Sequence, residues 1–298
     1  MMRVLQNLFQ LDDPDSVGTK IQLRAFEFFA VIYTLIYTWE WAFYIPRLSD
    51  VVLPLGLANY LDISIFFSND ISIYNAVLIS LFTLVPLLLK RVRWLYAIAF
   101  VLFHLQHVAR FSQGEIPHSA NLVAFSLMGL GLAALFFKGM KKELSFAFGF
   151  TLFFFGLGYT SAAISKLVAT GVTWVDGYHL WLWMGEKSID ILSLQGEFQY
   201  NWLQELAFNS RFLATLILSF GLITELLGFT IWFKKLRPYI VIMLIGMHVG
   251  IDLTMNIFFK TFTIQLIIMG FFWNRYINVI PGIEALNEHP LVKKILLY

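Results

Sequence analysis

Cysteine is missing from all 298 residues, so the chain has no disulfide framework, no thiol nucleophile, no iron–sulfur ligation and no Cys-based zinc site. The same absence leaves the redox compartment of its loops open. Charge is scarce as well. Only 13% of residues are Asp, Glu, Lys or Arg, about half of what a soluble domain carries. A net charge of +2 gives no sign of a nucleic-acid partner. Fixed-period repeats, low-complexity tracts and the inverted halves of many transporters are not found either. What the chain does have is apolar material: 59% of residues are hydrophobic, with 31 Phe, 12 Tyr and 9 Trp, and the mean hydropathy is +0.73.

That material comes in runs of roughly 20 residues, the length a helix needs to cross about 30 Å of hydrocarbon. The first 20 residues, including Leu11-Asp12-Asp13-Pro14-Asp15, are polar and lack the basic and apolar regions of a cleavable signal peptide. The run from Phe26 to Tyr44 is therefore expected to stay as an anchor. Eight spans are predicted, near 22–46, 71–89, 92–110, 117–137, 144–166, 210–233, 238–257 and 261–273. The apolar stretch 51–67, with Pro54, Gly56, Asn59 and Asp62, reads as re-entrant or interfacial. The expected fold class is all-α: a polytopic helical membrane protein of about eight transmembrane helices with an amphipathic outer connection. It forms one membrane domain over 1–298, with a cytoplasmic segment 1–21, spans within 22–273 and a cytoplasmic tail 274–298.

Basic residues orient these spans. With the amino terminus inside, Arg3, Lys20, Arg24, Lys90, Arg91, Arg93, Lys138, Lys141, Lys142, Lys234, Lys235, Arg237, Arg275, Lys293 and Lys294 are cytoplasmic, 15 of 21. The other six, Arg47, Arg110, Lys166, Lys187, Arg211 and Lys260, spread over four outer connections. The split follows the positive-inside rule, and one span more or fewer would scramble it. Both termini are thus expected in the cytoplasm of a multi-pass cell-membrane protein. The longest connection, 167–209, lies outside, and its Trp174, Tyr178, Trp181, Trp183, Tyr200 and Trp202 suit interfacial helices that roof a site or simply anchor the chain.

An ionisable side chain at membrane depth costs at least about 2.5–3.5 kcal/mol on insertion scales, so each one calls for a reason. His104, His107 and Arg110 share one face of the third span by their spacing of three. They are either site residues or an interfacial helix end bonded to backbone. His118 follows Pro117 at the start of the fourth span. Lys166 closes the fifth span after Gly158-Tyr159-Thr160-Ser161-Ala162-Ala163-Ile164-Ser165, small residues that admit close helix neighbours. It is either a desolvated base or a lysine snorkelling to head groups. His248, Asp252 and Asn256 form a stripe on the seventh span, where Asp252 can orient or charge-balance the imidazole. Glu225 comes out deeper, toward the inner half, as a packing or hydrogen-bonding residue. His107, Arg110, His118, Lys166 and Asp252 all fall in the outer half, which is the argument for a common site.

The pattern of Tyr159, small residues, Lys166-Leu167 and Trp174-Val175-Asp176-Gly177-Tyr178 resembles a segment of vitamin K-dependent gamma-glutamyl carboxylase and of the related bacterial HTTM (horizontally transferred transmembrane) proteins. Pro117-His118-Ser119, Thr224-Glu225-Leu226-Leu227-Gly228-Phe229 and Met247-His248 through Asp252-Leu253-Thr254-Met255-Asn256 support it, and the resemblance covers roughly 20–275. It implies an HTTM-like fold in which Lys166 matches the lysine that deprotonates vitamin K hydroquinone and His118 matches a functional histidine. Ser165 stands where that family has another lysine, and no large lumenal carboxy-terminal domain is present in the sequence.

The leading expectation is a membrane enzyme with Lys166 as base and His118 and His248 assisting. Tyr159, Trp174, Asp252, Asn256, His107 and Arg110 would bind a lipid-soluble substrate or a quinol cofactor such as reduced vitamin K. Two alternatives stand beside it: a non-enzymatic accessory that matures a secreted or membrane-bound peptide, and a metal site of His104, His107, His248 and Asp252. The lipid bilayer is the one partner that all three share.

Overall fold

The computed structural model describes residues 8–11, 13, 15–48, 53, 56–68, 70–114, 118–287 and 289. Among them all regular structure is helical. The α-helices are α1 (Val17–Tyr44), α2 (Ile71–Leu88), α3 (Leu95–Phe111), α4 (His118–Phe136), α5 (Met140–Thr170), α6 (Gly177–Gln195), α7 (Trp202–Asn209), α8 (Arg211–Leu226), α9 (Arg237–Met255), α10 (Lys260–Gly270) and α11 (Trp273–Asn278). Short 3₁₀ segments join several of them.

Six of these, α1, α2, α4, α5, α8 and α9, are long and apolar enough to cross a membrane. Helix α3 has 17 residues, which makes it about 26 Å long at 1.5 Å per residue. Helix α10, in the place of the expected eighth span, has 11. That is about 16 Å, half of the hydrocarbon thickness. It stops at Gly270, which lies so close to Val241 that an added Cβ would fall 2.5 Å from its methyl carbons; Phe271 then turns extended. In the stretch 51–67, short 3₁₀ turns occupy Gly56–Asn59 and Ser64–Phe67, while Pro54 lies outside the described residues.

The faces of α2 show which solvent the protein is built for. Its buried residues are Ser72, Asn75, Ala76, Ile79, Thr83 and Pro86. Tyr74, Val77, Leu78, Leu81, Leu84 and Leu88 are exposed. A helix in water places these faces the other way round. Small and polar residues inside with a leucine-rich outer face suit contact with lipid tails.

Contacts divide the chain into two compact units, Met1–Thr151 with Phe272–Tyr298, and Leu152–Phe271; α5 contributes to both. In the first, α1 packs on α2, α4 and α11, with α3 between α2 and α4. Ser16 caps α1 by accepting the Thr19 N–H. The centre of this unit is ionic. Glu27, fully buried, is bonded to Arg24, to Arg93 and, at 2.9 Å, to the Tyr96 hydroxyl. Arg93 Nε also donates to Glu143 at 2.7 Å.

In the second unit α6, α7 and α9 pack against α8, and α10 packs on α9. Leu180, Met184, Ala207, Ala214 and Leu218 form its core, with Trp174, Trp181 and Trp183 against them. Asp176 caps α6 by accepting the Tyr178 N–H at 3.0 Å. Asn201 and Gln204 make a reciprocal capping box on α7. The same two side chains donate to carbonyls at the end of α9, Asn201 to Leu253 at 2.6 Å and Gln204 to Thr254 at 2.9 Å. The connection expected to be amphipathic carries apolar residues on two faces of α6. Leu180 and Met184 point to the core, and Tyr178, Leu182, Ile189 and Leu192 are exposed along one opposite stripe.

Candidate functional site

The second unit gathers ionisable groups where helices approach closely. The approach depends on Gly228, in the 3₁₀ segment Leu227–Trp232 after α8: a Cβ there would lie 2.6 Å from the Cβ of Tyr159 on α5. At the same crossing the Thr160 hydroxyl oxygen accepts the Phe229 N–H at 2.9 Å. Two helical turns beyond Tyr159, on the same face of α5, Lys166 meets Glu225 in the last turn of α8 and forms an ion pair. The Lys166 ammonium also sits 4.7 Å from the centroid of the Trp174 ring. Glu225 is buried, and the lysine side chain is 29% exposed.

The pair forms the polar end of a partly enclosed cavity of about 150 Å³. Its wall is otherwise mostly apolar, with Trp174, Trp183, Phe220, Met247 and Met255 among the lining residues. Thr254 also lines it, but its hydroxyl is turned back to the Gly250 carbonyl at 2.7 Å. Gly221 of α8 and Gly246 and Gly250 of α9 are also part of the lining. A Cβ at Gly246 or Gly250 would meet nothing within 4 Å. Neither glycine therefore serves close helix packing; Gly250 leaves the cavity clear, and Gly246 lies at its exposed edge.

A second buried pair joins α5 to α9. The Tyr159 hydroxyl and His248 Nε2 are 2.7 Å apart, enclosed by Phe259 and Phe262. His248 Nδ1 has no partner among the described residues. The expected His248–Asp252 partnership is not formed, because the ring turns into the interface where the tyrosine hydroxyl waits. Asp252 is half-buried and has no recorded side-chain partner among the described residues. Asn256 does not continue the stripe; it ends α9 in the left-handed region at φ 54° and is exposed. Of this predicted set, neither His248, Asp252, Asn256 nor Tyr159 lines the cavity, whereas Lys166 and Trp174 do.

The remaining candidates belong to the first unit. His104 and His107 stack in a ladder with Phe100 and Phe111 along α3, centroids 6.0–6.3 Å apart. Trp41 packs on His107 at 5.6 Å. Arg110 is buried with its guanidinium 3.8 Å from the Tyr44 ring centroid and Nη1 donating to Gln113 at 3.4 Å. This geometry fits a packed helix end. His118 is the first residue of α4; its side chain, with Ile116 and Pro117, lies outside the described residues. Among the described residues no three His, Asp or Glu side chains come together as metal ligands, including His104, His107, His248 and Asp252.

Two features escaped the reading of the sequence. Glu225 is the direct partner of Lys166 rather than a separate packing residue, since an apolar span leaves a carboxylate no cheaper solution than a nearby cation. The Glu27 network was visible only as Arg24 and Glu27 spaced three apart inside an apolar run, with Arg24 and Arg93 counted merely as inner basic residues. Outside the spans, the Arg211 hydrogen bonds at 2.5 and 3.0 Å hold the Asp176 carboxyl below the usual carboxylate range, and the Tyr178 N–H adds to the effect. Comparison with protein families, curated proteins and solved structures found no match.

Proposed function

We propose that this multi-pass membrane protein binds a lipid-soluble, hydroxyl-bearing molecule in the cavity of its second unit and deprotonates it with the Lys166–Glu225 pair. One observation carries the reading: an ion pair forms the polar end of an apolar cavity that glycines hold open. Replacing a buried pair by apolar residues is often neutral or stabilising, so a pair kept at a cavity wall points to use rather than to stability.

The proton balance is simple. Amine and carboxylate together hold one proton before the ligand enters. The ligand hydroxyl gives up its proton, the pair then holds two as ammonium and carboxylic acid, and the ammonium faces the oxyanion left behind. Low local dielectric strengthens that contact. In this step Glu225 takes the proton and Lys166 holds the oxyanion, which departs from the resemblance to the carboxylase and HTTM proteins, where the matching lysine is the base. The accessory reading would use the exposed apolar stripe of α6, but lipid covers such a stripe without any peptide. On the positive-inside count we also place both termini in the cytoplasm. With α10 not crossing, Arg275, Lys293 and Lys294 would move outside and turn 15 to 6 into 12 to 9.

The test is extraction of bound lipid-soluble compounds from purified protein, followed by mass spectrometry. Wild type should retain a hydroxyl-bearing apolar compound that Gly250→Phe, which fills the cavity, loses while keeping its helix content. Equal retention by both proteins, or none by either, overturns the reading.

A further inference from the structure

Resting on that reading, the geometry points to a ligand whose head is a single phenolic ring, with its hydroxyl at Lys166 and Glu225 and an apolar tail leaving by the open side. Three observations fix the head. The first is volume. The cavity holds about 150 Å³, the size at which an apolar cavity in a protein takes up benzene. One six-membered ring fills it. The fused two-ring head of reduced vitamin K would have to extend through the open side, so the enclosed space suits a one-ring head better than the cofactor that the resemblance implies.

The second observation is shape. Gly246 and Gly250, four residues apart, face the cavity along one side of α9, and Gly221 faces it from α8. No Cβ protrudes at these three positions, so this part of the wall is smooth backbone. Trp174 and Trp183 also line the cavity, their ring centroids 5.5 Å apart. A flat ring can lie against smooth backbone and against indole alike, whereas a branched or bulky saturated head makes poorer contact with both.

The third is polarity. Lys166 and Glu225 are the charged side chains of the lining, and the Thr254 hydroxyl is already committed to a carbonyl. The polar end thus offers one acceptor carboxylate beside one cation. A phenol satisfies both: its O–H donates to Glu225 and its oxygen, once deprotonated, faces Lys166. An alcohol lacks the acidity to lose its proton to such a pair, and an ether has nothing to donate.

The experiment is isothermal titration calorimetry on the full chain in nanodiscs, corrected with empty nanodiscs, with 4-hexylphenol, 4-hexylanisole and 6-hexyl-2-naphthol as probes. The phenol should bind, and the ether should bind at least about tenfold more weakly, since a hydrogen bond to a charged group is lost. The naphthol should be weaker by at least about as much, because a larger ring overpacks the enclosed part of the site. Glu225→Gln should weaken the phenol and leave the ether unchanged, and Gly250→Phe should abolish phenol binding. Naphthol binding as tight as the phenol overturns the one-ring assignment. Ether binding as tight overturns the hydroxyl assignment. No phenol binding by wild type, or undiminished binding by Gly250→Phe, overturns both. If a compound retained by wild type and lost from Gly250→Phe has no phenol ring, this inference fails while the cavity reading stands.

Discussion

Removing one partner of the Lys166–Glu225 pair should cost more than removing both. Lys166→Met leaves a carboxylate that is 11% exposed with no cation beside it. Breaking a buried pair in this way costs about 3–5 kcal/mol, and the partial exposure of the lysine lowers the expectation to about 2–3 kcal/mol. Glu225→Gln leaves an ammonium at a cavity that is partly open, beside an indole face at 4.7 Å. It keeps some hydration and the cation–π contact, so the loss should be about 1–2 kcal/mol. The double variant Lys166→Met, Glu225→Leu removes both charges at nearly constant volume and should lie within about 1 kcal/mol of wild type. Reversible unfolding in mixed micelles of mild detergent and dodecyl sulfate, followed by helix content, measures all four proteins. The same double variant should bind none of the phenol probe. A double variant less stable than either single one would refute the reasoning, because the pair would then be a structural clamp.

Three further outcomes follow from geometry described above. Glu27→Gln should lower stability by about 3–5 kcal/mol in the same assay, against about 1 kcal/mol for Tyr96→Phe; equal losses would show that the charge of Glu27 is not what holds the first unit. Asp176 titrates below its ordinary range, so what it contributes to α6 is fully present above that range and is lost as pH falls through its folded-state value. Amide exchange at Tyr178, corrected for intrinsic rates, should keep its protection from pH 7 down to about pH 4, lose it only as pH falls further in wild type, and show no such step in Asp176→Asn. Finally, the chain has no cysteine of its own, so single substitutions report topology without background. A membrane-impermeant maleimide on intact cells should label Glu197→Cys and spare Lys138→Cys and Glu284→Cys; a labelled tail would mean that α10 does not complete a crossing.

Run length was enough to find the long apolar helices, because a helix in lipid must satisfy its own backbone over the whole hydrocarbon thickness. It was not enough at residues 261–273, where hydropathy hid the close contact of Gly270 with Val241 that ends α10. Lys166 and Trp174 were both legible as site residues, within one short motif. The partner at Glu225 was not, since nothing in a sequence pairs positions 59 apart. Spacing put His248, Asp252 and Asn256 on one stripe, yet Asn256 left the helix by a left-handed turn and His248 found Tyr159. Periodicity reports which face a residue shares, not which helix comes to meet that face. The three cavity glycines carried no signal in the sequence, because a glycine that holds space open reads like one that permits close packing.

Helix α7 is fastened to the end of α9 by two side-chain amides, at the Leu253 and Thr254 carbonyls. Parting them in a medium poor in water would strand both carbonyls, at a cost of several kcal/mol each in hydrocarbon. The two helices must therefore travel as one piece. Helix α6 is tied in turn to α8, by Arg211 to Asp176 and by the Gly177 N–H to the Thr215 hydroxyl, and to α7 by the Trp181 indole N–H at the Ala207 carbonyl. A chain of polar fastenings thus runs from α8 through α6 and α7 to α9, and a guest arriving from the bilayer would meet a frame that resists being pried apart at any single helix.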